Sequence, residues 1–196
     1  MNDHKGFFAM MARMKYIERW ALMRNSVSEN ICEHSLEVAM LAHGLGIIGR
    51  KRFGKDLSPE RLAMLGMYHD CTEIITGDMP TPVKYANDEL KEAYKAIEDS
   101  AAHRLLEMLP EDLRAEYESY FLPEQITPEE YRYVNPADKL SALIKCIEEE
   151  KTGNQEFRSA KQATYESLQQ MNMPEVTVFC EVFLPEYYKT LDELEH

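Results

Sequence analysis

Helix starts recur along this 196-residue chain, and they restrict its fold more than any other feature. Ser58-Pro59-Glu60 supplies an N-cap, a proline whose missing N–H is not needed in a first turn, and an acid suited to the positive end of the helix dipole. Thr127-Pro128-Glu129-Glu130 repeats the pattern as a capping box, with Glu130 at the third helical position. These signals predict one helix from Ser58 to Thr76, with Gly77 as its left-handed C′ residue, and another from Thr127 to about Lys151. Asn87 predicts a helix over 88–109 and Asn154 one to about Met171, while Pro110, Pro174 and Pro185 mark later boundaries. Phe7, Met10, Met11, Met14 and Ile17 stand at helical spacings, so 6–17 reads as a core helix whose methionines pack rather than bind a cofactor. Ala, Leu and Met together number 47 against 25 Val, Ile and Thr, which points to an all-α fold. No repeat, linker or low-complexity segment divides the chain, and a single domain over 1–196 is expected.

With 22 Lys and Arg against 35 Asp and Glu, the net charge is −13 and the pI about 4.9. That balance argues against a DNA or RNA partner, which needs a basic face. Cys32, Cys71, Cys146 and Cys180 form no Cys-x-x-Cys pair and read as free thiols of a reducing compartment. The apolar stretch Phe7–Ala12 is too short for a signal peptide, and no uninterrupted apolar run nears the roughly 18 residues of a membrane span. A cytoplasmic protein without a membrane partner is expected.

The positions that carry chemistry are His34, the adjacent His69-Asp70, and Asp138. Each falls on a predicted helix. His34 keeps step with Val38, Leu41 and Leu45, and His69 with Leu62 and Leu65, so both imidazoles face the core. Either alone is more often a hydrogen-bonded core histidine. Joined to carboxylates they read differently, because an ionised Asp70 beside an apolar interior is costly unless paired or metal-bound. Two imidazoles and two carboxylates suit one first-row divalent ion such as Mn²⁺, Fe²⁺, Co²⁺, Ni²⁺ or Zn²⁺. An octahedral ion so held keeps two positions for a substrate oxygen and a water, the arrangement of metal-assisted hydrolysis. Glu73, four residues beyond His69 and thus one turn along the same helical face, is the candidate for proton transfer. Taken alone, Glu73 reads as an exposed helix carboxylate.

The order His, His-Asp, Asp on helices resembles the HD-domain superfamily of metal-dependent phosphohydrolases. Within it, Glu18-Arg19-Trp20, Met23-Arg24-Asn25, Glu33-His34-Ser35-Leu36, Met67-Tyr68-His69-Asp70 and the stretch Thr76–Tyr85 resemble the bacterial 5′-deoxynucleotidases, a likeness running from about residue 7 to 194. The resemblance implies a helical bundle and hydrolysis of deoxyribonucleoside 5′-monophosphates at a mononuclear site on His34, His69, Asp70 and Asp138. Cobalt is the activator it implies, with a homodimer as the assembly. It implies that Glu73 handles the proton, that Arg19 contacts the phosphate and Trp20 lines the pocket, and that Asp78, Met79, Pro80 and Thr81 form the substrate loop. In that loop Asp78 is the candidate acceptor for the sugar 3′-hydroxyl. His34, Asp70 and Asp138 then count among the substrate contacts as well as the metal ligands. Pro80 and Pro82 restrict the residues before them to extended conformations, which predicts a stiff wall able to exclude a 2′-hydroxyl. Because the net charge repels a nucleotide, Arg19, Arg24 and Lys84 are the candidate local cations beside the metal.

Pro136, two residues before Asp138, either removes a hydrogen bond from one long helix or opens a new helix capped by Asn135. His43 falls on the face opposite His34, and His103 has no motif around it, so neither is expected as a ligand. The competing readings are a cyclic-dinucleotide phosphodiesterase, a nucleoside triphosphate hydrolase, and a helical nucleotide-binding module without turnover. Asp78-Met79-Pro80 stands where the first would carry Gly-Tyr-Pro, and too few cations serve the second.

Overall fold

The structure, a computed structural model, describes residues 5–84 and 86–195. Tyr85, which ends the Thr76–Tyr85 stretch, lies outside the described residues, as do the first four. The elements are α1 (Phe7–Met11), α2 (Ile31–Phe53), α3 (Pro59–Tyr68), α4 (Glu73–Thr76), α5 (Thr81–Lys84), α6 (Asp88–Leu106), α7 (Glu111–Phe121), α8 (Pro128–Lys151), α9 (Arg158–Gln170), α10 (Pro174–Val182) and α11 (Leu191–Leu194), with 3₁₀ turns at Ala12–Tyr16, Pro123–Gln125 and Leu184–Tyr188. There is no strand among the described residues; Glu18 and Asn30 form an isolated antiparallel bridge. The all-α expectation holds.

The caps form as their chemistry dictates. Ser58 Oγ accepts from Arg61 N, Asn87 Oδ1 from Leu90 N, and Thr127 and Glu130 make the reciprocal capping box of α8. A second such box, Asn30 with Glu33, opens α2. Several boundaries differ from the sequence reading. The helix begun at Ser58 stops at Tyr68, residues 69–72 turn, and α4 restarts at Glu73, so His69 and Asp70 are not on a continuous helix. Gly77 follows α4 with φ 74° and ψ 160°, outside the left-handed helical well. α6 ends at Leu106 rather than 109, and the N-terminal helix becomes a short α turn followed by a 3₁₀ turn, with Phe7 and Met14 buried. Asn154 does not cap α9, which begins at Arg158; its amide donates instead to Glu149 Oε2 and the Arg24 carbonyl. Pro136 lies inside an uninterrupted α8, which removes the alternative of a new helix at Asn135.

Glycines let α2 and α3 approach closely in antiparallel fashion. A Cβ on Gly46 would come 2.9 Å from Leu62 Cδ1 near the start of α3, and one on Gly66 would stand 3.0 Å from the Val38 carbonyl and Ala39 Cα. The end of α3 therefore meets the early turns of α2. Two apolar clusters flank that junction. One joins Val38, Leu41, Leu45, Leu62, Tyr133, Leu140, Ile144 and their neighbours across α2, α3, α8, α9 and α10. The other joins Phe7, Met14, Ile31, Cys71, Leu105 and Phe121. α2 is long and apolar enough by length and composition to cross a bilayer, yet it is the shared core helix here, contributing residues to both clusters.

Candidate metal centre and substrate pocket

His34 sits one turn into α2, between Ile31 of one cluster and Val38 of the other, and is fully buried. Its Nδ1 lies 2.9 Å from Ser141 Oγ, and that hydroxyl donates to Glu37 Oε2 at 2.6 Å. With its proton committed to Glu37, Ser141 accepts from His34 Nδ1–H, which leaves Nε2 as a lone pair. His69 reaches the same state by another route: Nδ1 lies 2.7 Å from the Gly66 carbonyl, which can only accept. Both Nε2 atoms are buried without a hydrogen-bond partner. His34 Nε2 stands 3.4 Å from Asp70 Oδ2 and 3.2 Å from Asp138 Oδ1, and His69 Nε2 is 3.1 Å from Asp70 Oδ2.

Four acceptors thus converge with no donor among them. His34, His69 and Asp70 each offer a ligand atom within 4.8 Å of the others, and Asp138 approaches through His34, its side chain 40% exposed. Such a set calls for a proton or a cation at its centre. Burial alone would lower the His69 pKa, but Asp70 and Asp138 outweigh it and raise it. Burial would likewise raise both carboxyls, yet the two histidines outweigh it, holding Asp70 well below the usual carboxylate range and Asp138 below it to a lesser degree. The residues present therefore fit one divalent ion with mixed imidazole and carboxylate ligands. His43 and His103 are exposed.

The turn at 69–72 explains how neighbours in sequence can serve one ion. On a regular helix successive side chains diverge by about 100°. Tight i→i−3 bonds from Cys71 N to Tyr68 O and from Glu73 N to Asp70 O bend the chain instead, so His69 and Asp70 converge. Glu73 begins α4 and is 7% exposed, its Oε2 without a partner, so it is no surface carboxylate. Burial first, then the Asp70 and Asp78 charges, push its pKa up to about 10.

Arg19 and Trp20 lie outside the helices. Arg19 Nη2 is 4.0 Å from Asp138 Oδ1, which puts the guanidinium at the edge of the cluster. Trp20 has φ 59°, unusual for a bulky residue, and its ring packs against buried Phe157 at 5.2 Å. Burial raises the Asp78 pKa, against the pull of Arg19. Met79 and Pro80 are half-buried in the irregular segment 77–80, and Thr81 is exposed at the start of α5. They join the site only through chain continuity with Asp78. Pro82 is the second residue of α5, so Thr81 is helical rather than extended, and the wall is fixed partly by Val83 N and Lys84 N donating to the Pro80 carbonyl. Lys84 is engaged by Glu98 at 2.8 Å and by the Tyr94 ring, while Arg24 is exposed.

Sequence reasoning passed over Glu29, Glu37, Ser141 and the Gly66 carbonyl. Glu37 and Ser141 carried a usable signal: each stands three residues beyond a ligand, on the same helical face. Segment 24–27 is tied to α8 by a buried Lys145–Glu149 pair, with Glu149 accepting from Ser26 N and Lys145 donating to the Val27 carbonyl.

Residues 6–187 match the family described as YfbR-like 5′-deoxynucleotidase. A 5′-deoxynucleotidase of Vibrio cholerae is 47% identical over 188 residues, spanning 96% of this chain and 97% of its own. An HD-domain phosphohydrolase from Listeria innocua superposes with a TM-score of 0.80 at 22% identity, over 96% of this chain and 91% of that one. The cyanophage S-2L HD phosphohydrolase, solved with dA and one catalytic Zn²⁺, gives 0.61 at 22% identity, over 88% and 93%. At those identities the two structures speak to the fold.

Proposed function

Because the chain belongs to the YfbR-like 5′-deoxynucleotidase family, a family of hydrolases, we propose that it converts deoxyribonucleoside 5′-monophosphates to deoxyribonucleoside and phosphate. The observation that carries this reading is the pair of buried, partnerless Nε2 atoms of His34 and His69 facing Asp70 and Asp138.

Those four residues hold one divalent ion, and Co²⁺ suits their mixed nitrogen and oxygen donors, with Mn²⁺ or another first-row ion as a substitute. When bound, the ion supplies a Lewis acid for phosphoryl oxygens and makes water a better proton donor at neutral pH. Arg19 binds the phosphate through its planar guanidinium and orients it beside the cluster. Glu73 handles the proton: its buried carboxyl holds one in metal-free protein, a divalent ion beside it would favour the carboxylate, and that carboxylate accepts the attacking water's proton and returns it to the sugar 5′-oxygen as the P–O bond breaks. Trp20 and the segment Asp78, Met79, Pro80, Thr81 line the sugar side, with Asp78 accepting the 3′-hydroxyl. Its half-buried carboxyl, within the influence of the Arg19 charge, supports that role. The same segment excludes a 2′-hydroxyl, giving selectivity against ribonucleotides. The whole chain acts as one HD-type domain, as a cytoplasmic homodimer.

Phosphate release from dAMP and AMP, followed in parallel on metal-stripped protein with Co²⁺, Mn²⁺, Mg²⁺ or no addition, tests the reading. Metal-dependent release from dAMP with much less from AMP is expected. Equal turnover of both would remove the sugar selectivity, and no release with any metal would remove the substrate assignment.

A further inference from the structure

Residues 17–31 form a closed excursion before α2. Ile31 N donates to the Ile17 carbonyl at 2.9 Å and Arg19 N to the Glu29 carbonyl at 2.8 Å, around the Glu18–Asn30 bridge. The far side of this neck is fixed, since Asn30 is also the cap of α2. Across the neck one carboxylate oxygen, Glu29 Oε2, accepts Trp20 Nε1 at 2.8 Å and Arg19 Nη1 at 3.4 Å. The Arg19 and Glu29 side chains are 13% and 12% exposed.

We propose that Glu29 is a positioning residue that sets the orientation of both Arg19 and Trp20 for the nucleotide; this rests on the substrate roles given to those two residues above. An indole has one donor and no acceptor, so Glu29 takes its one hydrogen bond and, with Phe157 against the ring, fixes the rotation of a side chain attached to a backbone at φ 59°. The guanidinium is bracketed, one terminal nitrogen toward Glu29 and the other toward Asp138. Without Glu29, Asp138 becomes the nearer counter-charge, and Arg19 closes on a metal ligand instead of presenting its donors to phosphate. Sequence spacing gives no hint of this, because the contact is made by a turn and a bridge.

Trp20 is the chain's single tryptophan, so its fluorescence reports this latch alone, without metal or substrate. In Glu29→Ala, acrylamide quenching is expected to rise about two-fold as the ring loosens, and KM for dAMP to rise on the order of ten-fold with kcat changing less. Glu29→Gln keeps an acceptor for the indole but loses the charge, so quenching stays near wild type while KM still rises. Wild-type quenching in folded Glu29→Ala overturns the proposal whatever the activity. If the alanine variant does not fold by circular dichroism, Glu29→Gln decides alone, and an unchanged KM there overturns it. Arg19→Ala, run beside them, separates the two ideas: an unchanged KM in that variant removes the phosphate role of Arg19, while the quenching result still judges Glu29.

Discussion

Ser141 decides which nitrogen of His34 can bind a cation, because its own proton is spent on Glu37 and its oxygen must accept. Removing the hydroxyl frees the imidazole to take the other tautomer and to rotate. Ser141→Ala is therefore expected to weaken Co²⁺ or Mn²⁺ binding by about 10–100-fold, the usual scale for such supporting partners, as read by calorimetric titration of metal-stripped protein. Unchanged affinity would mean that packing alone orients His34. Glu73 offers a second test, in two parts. As the proton-handling group, its replacement in Glu73→Gln should cut kcat by about 10²–10⁴-fold with little change in KM. The stability part follows from its raised pKa. A carboxyl pushed up to about 10 in the folded state binds a proton that the unfolded chain gives up near 4.5. The stabilising contribution is thus complete below about pH 4.5 and is lost as pH rises toward 10. Metal-free protein should then lose stability from pH 5 to pH 9, and Glu73→Gln should flatten that slope and melt higher at pH 8. A variant that melts lower than wild type at pH 8 would contradict the burial of an uncompensated carboxyl. Function accounts for keeping such a group where stability disfavours it.

At the scale of elements, the approach of α3 to α2 sets the distance between the two histidines, and Gly66 permits it. A Cβ there would stand 3.0 Å from backbone atoms of Val38 and Ala39, which cannot rotate out of the way. Gly66→Ala is expected to cost about 1–3 kcal/mol, seen as a lowered melting point, and to weaken metal binding in proportion as His69 moves off His34. Retained affinity with lowered stability would show that the turn at 69–72 absorbs the shift. That turn also marks the limit of what the sequence conveys. Ser58, Asn87 and Thr127 were legible as caps because capping is local: the partner N–H lies two or three residues away. The break after Tyr68 was not, since 69–72 holds no Gly or Pro and Gly66 stays inside α3. It is imposed by tertiary demands, Cys71 entering the second apolar cluster while His69 and Asp70 face the cation site. Asn154 failed as a cap for a like reason, its amide being drawn to the buried Glu149. Pro136 left two choices open, and packing of α8 on both its flanks, Tyr133 and Val134 before it and Ala137 and Leu140 after, selects the continuous helix.

For the whole molecule, the converging side chains of His34, His69, Asp70 and Asp138 are drawn from three separate places in the chain, α2, the turn after α3, and α8, and they meet on the seam between two apolar clusters. The convergence of His34 and His69 was legible in sequence because each histidine keeps step with buried leucines. Arg19, Trp20 and Asp78 carried no such period, and only resemblance pointed to them. This layout separates folding from loading. Each cluster has its own buried core, so the metal-free chain should retain its helices, and the ion should act as a clasp between them. A ligand that binds only the folded state stabilises it by about 2.7 kcal/mol at 100 times its dissociation constant. For a chain of this size each kcal/mol is worth roughly 2–4 °C, so saturating Co²⁺ should raise the melting point by about 5–10 °C without changing the far-ultraviolet circular dichroism. Asp138→Ala should lose most of that shift, because it removes the one ligand contributed by α8 and leaves the ion on the α2–α3 side alone. If the variant kept the full shift, the ion would not join α8 to the rest. If metal-free protein lost its helical signal, the two clusters would not suffice to fold the chain, and binding and folding would be a single event.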